Sequence, residues 1–294
     1  MPTLRQLRVF VAVVDTGGFA AAGAALGTSQ SSVSHSLATL ESQVGAALVH
    51  RAPVAVTTHG ARLLPYARAT LAAADAFDAA TPARTPTTGT IRLAVTPTAG
   101  HRLVPDLLTL WHTHAPGIRV RLLEGDDVEV AEWLATGAAD AAVLVDAPAG
   151  TGPVVARDEF RAVTRTDHPL AGTAAIPLAD LAEDPLLVST AGCEPQIREL
   201  HRRAGLPYRP TQRVRELTTL MAMVDAGLGV TLMPTLAGPM LPAGLAMTPL
   251  TDTLRRVLTL GAPATRPRHP LVGRLLDLTA EHRSPDGPAG PVPA

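Results

Sequence analysis

Hydrophobic positions recur at helical spacing from the first residues of the chain. Leu4, Leu7, Val11 and Val14 fall on one face, and Thr3 before them carries the oxygen an N-terminal cap needs. Gly17-Gly18 ends this helix. Phe19, Ala22, Ala25 and Leu26 give a short second apolar face, closed by a turn at Gly27-Thr28. Ser29 opens a third helix to about Gln43, with Val33, Leu37, Leu40 and Val44 as its apolar stripe. Its other face carries Ser31, Ser32, Ser34 and His35. Two β-prone pieces, 47–50 and 54–56, flank Ala52-Pro53 and predict a wing. A long helix follows over 58–80, capped by Thr57, with Leu63, Ala67, Leu71, Ala74 and Phe77 on one side. Three short helices, the last with small polar outward groups, make the helix-turn-helix plan, whose final helix enters the major groove. The stripe of the long helix predicts a dimer contact.

Beyond that helix the period changes. Residues 81–89, rich in Thr and Pro, read as a linker. Ile91, Leu93 and Val95 predict a strand, 97–114 a helix, and Ile118, Val120 and Leu122 a second strand. A helix over 128–135 and a strand over 141–145 complete a β-α-β-α-β order, which implies a parallel sheet with right-handed crossovers. The same alternation recurs from 160 to 234, with strands near 186–188, 213–215 and 230–233. The fold class is therefore α/β overall: an all-α winged helix-turn-helix, a long linker helix, and a two-lobed α/β domain. The expected domains are 1–57, 58–80, the linker 81–89, and 90–283. Within the last, lobe I takes about 90–158 and 262–283, and lobe II about 159–261. The chain crosses between lobes near 157–161 and returns near 257–261. The Pro-, Gly- and Ala-rich tail 284–294 is expected to be disordered.

Composition narrows the function classes. The 294 residues are 46% hydrophobic and 17% charged, a globular balance rather than a disordered one. The net charge of −1 supplies no global field toward nucleic acid, so any attraction must be local. Met1 to Tyr66 carries four arginines against two carboxylates, a thin net +2. The chain has no lysine, so all of its cations of that kind are arginine. One cysteine excludes an intrachain disulfide. The apolar run 9–26 is interrupted by Asp15 and Gly17-Gly18 and falls short of a membrane span. No membrane contact is expected, and the cytoplasm is the expected location.

The block LRQLRVFVAVVDTGGFAAAGAALGTSQSSVSHSLATLESQVGAALVHR, then TTHGARLLPYA, resembles the DNA-binding domain of LysR-type transcriptional regulators. Its most specific part is Ser29-Gln30-x-x-Val33-Ser34-x-x-Leu37-x-x-Leu40-Glu41. The resemblance extends more weakly to about His282. It departs at His35, where the family commonly has arginine, at Ala38 and Thr39, at Leu48-Val49, and in a shorter wing. It implies a periplasmic-binding-protein-like effector domain, double-stranded DNA and a small-molecule effector as partners, and a homodimer or homotetramer. RNA polymerase is a further candidate partner.

For the DNA contact the candidates are Thr28, Ser29, Gln30, Ser31, Ser32, Ser34, His35 and Arg51. Gln30 suits adenine bidentately, and the serines let a helix sit deep in the groove. For the effector the candidates are Thr96, Thr98 and Ala99, Gly125 and Asp126, Gly192 and Cys193, and Thr218. All lie at strand ends or helix starts, where open α/β sheets bind ligands. Hydroxyls and free N–H groups there suit an anion. Two other readings of the two-lobed half are an enzyme and a solute-binding protein. Cys193 has no base nominated by sequence. Glu124, Asp126, Asp127 and Glu129 lack calcium-loop spacing and read as solvated or helix-start charges. Gly227-Leu228-Gly229 follows a helix rather than a strand, the reverse of a phosphate loop. No catalytic residue, metal or cofactor is expected. A solute binder would need export, and the first 80 residues argue against it.

Overall fold

The computed structural model describes residues 1–79, 87–264 and 268–282. Of the expected linker 81–89, residues 81–86 lie outside the described residues, as does the tail from 284, and Gly89 already opens a strand. The chain forms two compact units, one centred on Met1–Pro86 and one on Thr87–Leu134, Ala139–Ala262 and Leu271–Ala294.

The first unit begins with α1 (Leu4–Thr16), α2 (Phe19–Leu26) and α3 (Gln30–Val44). Thr3 and Gln6 form a reciprocal capping box: Gln6 N–H donates to Thr3 Oγ1 at 3.3 Å, and Thr3 N–H donates to Gln6 Oε1 at 2.8 Å. The turn between α2 and α3 depends on two glycines. Gly27 ends α2 at φ 63°, and a Cβ on Gly23 would sit 2.8 Å from the Thr28 carbonyl oxygen. Val9, Phe10, Val13, Val33, Leu37 and Leu40 converge into the core of the unit.

The wing is β1 (Val49–Arg51) paired antiparallel with β2 (Val54–Val56). The expected strand over 47–50 starts two residues late for a local reason. Glu41 accepts hydrogen bonds from the N–H groups of Leu48 and Val49 at 2.8 and 3.2 Å, and Thr57 Oγ1 donates to the Ala47 carbonyl at 2.7 Å. The Ala47 carbonyl and the Leu48 N–H are thereby used before β1 begins. The same Thr57 oxygen caps α4 (Thr58–Ala79) by accepting from Gly60 N–H at 3.0 Å. α4 lies along α1, tied by Arg8–Asp75 at 2.9 Å and by Arg68–Asp15. Its expected single stripe divides: Ala67 enters the core of the unit, while Leu63 and Phe77 are exposed.

The second unit continues with β3 (Gly89–Val95), α5 (Pro97–Arg102), α6 (Val104–His114), β4 (Ile118–Glu124), α7 (Asp127–Thr136) and β5 (Ala141–Val145). β3 lies between β4 and β5 and is parallel to both. The single helix expected over 97–114 is two helices. Pro105 has no N–H for the His101 carbonyl, and the chain bends at Leu103.

Next come β6 (Val154–Arg165), β7 (Leu187–Ser189), α8 (Glu194–Arg203), β8 (Gln212–Val214), α9 (Leu217–Asp225), β9 (Thr231–Pro234), β10 (Leu245–Pro249), β11 (Arg255–Gly261) and α10 (Pro270–His282). Strand order in the main sheet is β10-β6-β11-β5-β3-β4, with β9 also on β6. β6 is long enough to serve both lobes. Its first half pairs with β11, and its second half pairs antiparallel with β9 and β10. The second lobe is thus not a repeat of the parallel first one; among the described residues its parallel pairings are β7–β8 and the Ile176–Leu250 and Leu186–Val230 bridges. Lobe I packs around Ile91, Leu93, Leu107, Trp111, Leu260 and Leu275, and lobe II around Phe160, Ile197, Leu200 and Leu232.

Candidate DNA-reading face and effector cleft

Ser29 caps α3: its Oγ accepts from Ser32 N–H at 3.2 Å and lies 2.9 Å from the hydroxyls of Ser31 and Ser32. Gln30, Ser31 and His35 are exposed, while Thr28, Ser32 and Ser34 are half-buried. No hydrogen bond holds the side chain of Gln30 among the described residues, so both its amide groups remain available. Ser29→Ala is expected to lower stability by about 1 kcal/mol through the lost cap. Urea denaturation measures it, and an unchanged midpoint would remove the cap from the account.

Arg51 is exposed but drawn inward. Its guanidinium pairs with Glu41 at 3.2 Å and stacks 5.5 Å from the centroid of the Phe19 ring. Arg5 and Arg62, to which the sequence pattern gave no role, are exposed and make no ion pair among the described residues. Charge alone was the signal for them.

The cleft candidates sit where loops of the two lobes of the second unit meet. Thr96 precedes α5, and its Oγ1 is buried with no hydrogen-bond partner in the protein. Thr98 and Ala99 are buried behind it. Gly125 N–H donates to the Val95 carbonyl at 3.1 Å, which sets Gly125 and Asp126 beside Thr96. A Cβ on Gly125 would lie 2.6 Å from the Trp133 ring. Asp126 Oδ1 caps α7, accepting from Val128 and Glu129 N–H at 3.0 and 2.9 Å, and Glu129 Oε2 accepts from Asp126 N–H at 2.9 Å. From lobe II, Gly192 lies against Asp127, to which Gln196 Nε2 donates at 3.4 Å. Gln196 Oε1 is buried without a partner. Arg215 reaches Glu129 at 2.6 Å and Asp126 at 3.8 Å. Thr218 is exposed in the first turn of α9 and makes no hydrogen bond to this group among the described residues.

Cys193 is 3% exposed, and burial pushes its thiol up to about 11. Beneath the cleft, where β6 and β11 pair, Asp158 accepts from Arg256 Nε at 2.8 Å and Nη2 at 2.7 Å. Arg256 also lies 5.3 Å from the Phe160 ring centroid. Sequence reasoning missed Asp127, Gln196, Arg215 and this ion pair as parts of one place. Only Asp127 carried a signal, as a neighbour of Asp126.

Burial raises the Asp127 carboxyl above its ordinary value, with the charge of Arg256 and the Gln196 hydrogen bond opposing. The folded protein then keeps that proton to higher pH than the unfolded chain. Stability therefore falls as pH rises through the interval between the two values. Asp127→Asn is expected to raise the urea midpoint at neutral pH, with the gain shrinking as pH is lowered toward 3.8. A destabilised Asn variant at neutral pH would contradict this account.

Two family models match the chain: the bacterial regulatory helix-turn-helix protein, lysR family, over residues 4–61, and the LysR substrate binding domain over residues 84–284. The chain belongs to the LysR family. As a LysR-family protein it is a DNA-binding transcription regulator, with an N-terminal helix-turn-helix unit and a two-lobed effector-binding domain. It is 37% identical over 247 residues to the probable hydrogen peroxide-inducible genes activator of Mycobacterium leprae (strain TN), covering 81% of this chain and 79% of that one. It is 29% identical over 271 residues to the uncharacterized regulator YvbU of Bacillus subtilis (strain 168), covering 90% and 93%. Among solved structures it resembles the Corynebacterium glutamicum OxyR C206 mutant, with TM-score 0.61, 31% identity and coverage of 96% and 92%. It shares the fold of full-length CbnR complexed with its target DNA, with TM-score 0.63, 23% identity and coverage of 95% and 99%. No described helix is long and apolar enough to cross a membrane.

Proposed function

We propose that this LysR-family regulator reads its operator through the Ser29–His35 face of α3 and couples that reading to a small polar effector held between the lobes of its second unit. The domain plan behind the proposal is a DNA unit over 1–57, an oligomer helix over 58–80 and a sensor over 90–283. The observation that carries the effector reading is the pair of buried, unpartnered oxygens on facing lobes, Thr96 Oγ1 and Gln196 Oε1, with Asp127 between the lobes. Buried polar atoms without partners cost free energy, and a ligand that supplies the missing hydrogen bonds removes that cost. Gln196 Oε1 and ionised Asp127 accept hydrogen bonds, so the effector presents at least one donor to them. Thr96 and Thr98 suit its anionic or hydroxylic end. Exposed Leu63, Tyr66 and Phe77 on α4 support assembly as a homodimer or homotetramer. RNA polymerase is a further partner in this reading, the cytoplasm its location, and no catalytic step enters it.

The relatives' name raises peroxide as a second effector. The lone cysteine weighs against a thiol-based response: its raised pKa leaves little thiolate at neutral pH, and no second cysteine exists to close an intrachain disulfide. Cys193→Ser is expected to retain operator binding and its effector response. In native protein the thiol is expected to stay unlabelled by a thiol reagent at neutral pH, becoming reactive on unfolding. Rapid native labelling, or a peroxide response lost in Cys193→Ser, would transfer the signal to the thiol.

The deciding experiment measures binding of the full chain to its own upstream intergenic DNA and to scrambled DNA of equal length across a salt series. Preference for the upstream piece that persists as salt rises supports sequence reading. Equal binding, lost with salt, reduces the interaction to phosphate attraction. Effector candidates are then titrated with and without operator. Identical affinities in the two titrations would remove the coupling.

A further inference from the structure

Lobe II contains a cavity outside the cleft. A volume of about 160 Å³ opens between the 3-10 turn Leu178–Leu181, strand β9 and the segment that follows α8. Leu181, Leu186, Val230 and Leu232 form its apolar part, with Leu181, Val230 and Leu232 buried. A dry apolar void of roughly 150 Å³ admits one benzene-sized molecule, so this cavity fits a branched aliphatic or single-ring body.

The polar lining is specific in a different way. Asp184, His201 and Arg209 also line the cavity. Arg209 is exposed and makes no ion pair among the described residues, Asp184 included. Asp184 is oriented from behind. His168 Nδ1 accepts from Leu170 N–H at 3.2 Å, which leaves the proton on Nε2 to donate to Asp184 Oδ1 at 3.5 Å. His201 Nδ1 lies 2.8 Å from the Ile197 carbonyl, so it donates there, and in that tautomer of the neutral ring Nε2 is the acceptor. The Tyr208 ring meets the imidazole edge-on, with centroids 5.5 Å apart. One cation, one carboxylate and one imidazole nitrogen thus surround an apolar body site, and the cation and the carboxylate are not spent on each other.

We propose that this cavity binds an apolar α-amino acid. Its side chain lies on the leucine-rich wall, its carboxylate on Arg209, and its ammonium on Asp184 and His201 Nε2. A plain carboxylate would meet Asp184 as a like charge, and a plain amine would meet Arg209 the same way. The zwitterion satisfies both ends. The site is separate from the cleft and does not depend on the function proposed for it.

Isothermal titration of the full-length protein tests this with L-leucine, glycine, 4-methylpentanoate and 3-methylbutylamine. L-leucine is expected to bind at least about tenfold more tightly than each of the others, the loss associated with one charge-assisted contact or the apolar body. Arg209→Gln and Asp184→Asn alter exposed or half-exposed positions, and each is expected to weaken leucine by a similar factor. Leu181→Phe, which fills the cavity, is expected to abolish it. Thr96→Val and Gln196→Ala in the cleft are expected to leave leucine affinity unchanged. No saturable binding up to the solubility of leucine would overturn the proposal. So would equal affinity for all four probes, or loss in the cleft variants in place of the cavity variants.

Discussion

Asp158→Ala is expected to destabilise the second unit by about 3–5 kcal/mol, the loss found when one member of a buried ion pair is removed. The side chains of Arg256 and Asp158 are 2% and 0% exposed, so water cannot replace the missing partner. Burial by itself would pull the Arg256 guanidinium down; the hydrogen bonds and charge of Asp158 hold it above its ordinary value. Deleting Asp158 leaves that cation buried beside Phe160 with its strongest acceptor gone. The location magnifies the effect. Arg256 and Asp158 are register partners where β11 and β6 run antiparallel, and β6 continues from there into lobe II. Leu236 N–H also points at Asp158, at 3.5 Å. Urea denaturation of the wild type, Asp158→Ala, Arg256→Ala and the double variant closes a mutant cycle. The losses of the two single variants are expected to sum to more than the loss of the double variant, and Asp158→Leu with Arg256→Met is expected to recover much of the loss. Single variants within about 1 kcal/mol of wild type would show that water reaches the pair and that it behaves as a surface bridge.

That ion pair also marks where the sequence ceases to be informative. Arg157-Asp158-Glu159 reads as a break between elements, yet it lies within the 12-residue β6. The charge that makes the strand look like a loop is neutralised by a residue 98 positions later. The same distance problem hid the cleft. Asp127 and Gln196 are 69 residues apart, and Arg215 and Glu129 are 86 apart. No periodicity links them. The first unit was readable because its determinants are local. Thr3, Ser29 and Thr57 cap the helices that follow them, Gly17 and Gly27 end the helices before them, and the stripes have one period. The parallel half of the sheet was readable for the same reason, since β-α-β order constrains pairing. Lobe II's antiparallel pairs were not, because β6 selects β9 and β10 across long connections. The α4 stripe fell between the two cases. Its period was visible, but its division between the core and the exposed face depends on α1, through Arg8–Asp75 and Arg68–Asp15.

Gln30→Ala is expected to reduce binding to the operator by about ten- to a hundredfold, the discrimination of one bidentate base contact. Binding to scrambled DNA should change little, because an uncharged side chain releases no counterions. Arg62→Ala should give the opposite pattern. It weakens both DNAs together and lowers the salt slope by about 0.9 if that arginine meets one phosphate. The distinction matters for a reader with few cations. Of the four arginines before Tyr66, Arg8 is paired with Asp75 and Arg51 with Glu41, which leaves Arg5 and Arg62 without carboxylate partners among the described residues. The phosphate contribution per protomer is therefore small unless DNA draws Arg51 away from Glu41. That exchange is itself measurable. If Arg51 switches to a phosphate, Glu41→Gln strengthens binding to both DNAs at low salt, because the competing carboxylate is gone. If Arg51 stays on Glu41 and Phe19, the same variant leaves affinity unchanged and costs only the local order of the wing, whose N–H groups Glu41 also holds. With so little phosphate attraction, a larger share of the operator affinity has to come from base contacts. A Gln30→Ala variant that bound the operator as tightly as wild type would move the reading face off the N-terminal turn of α3.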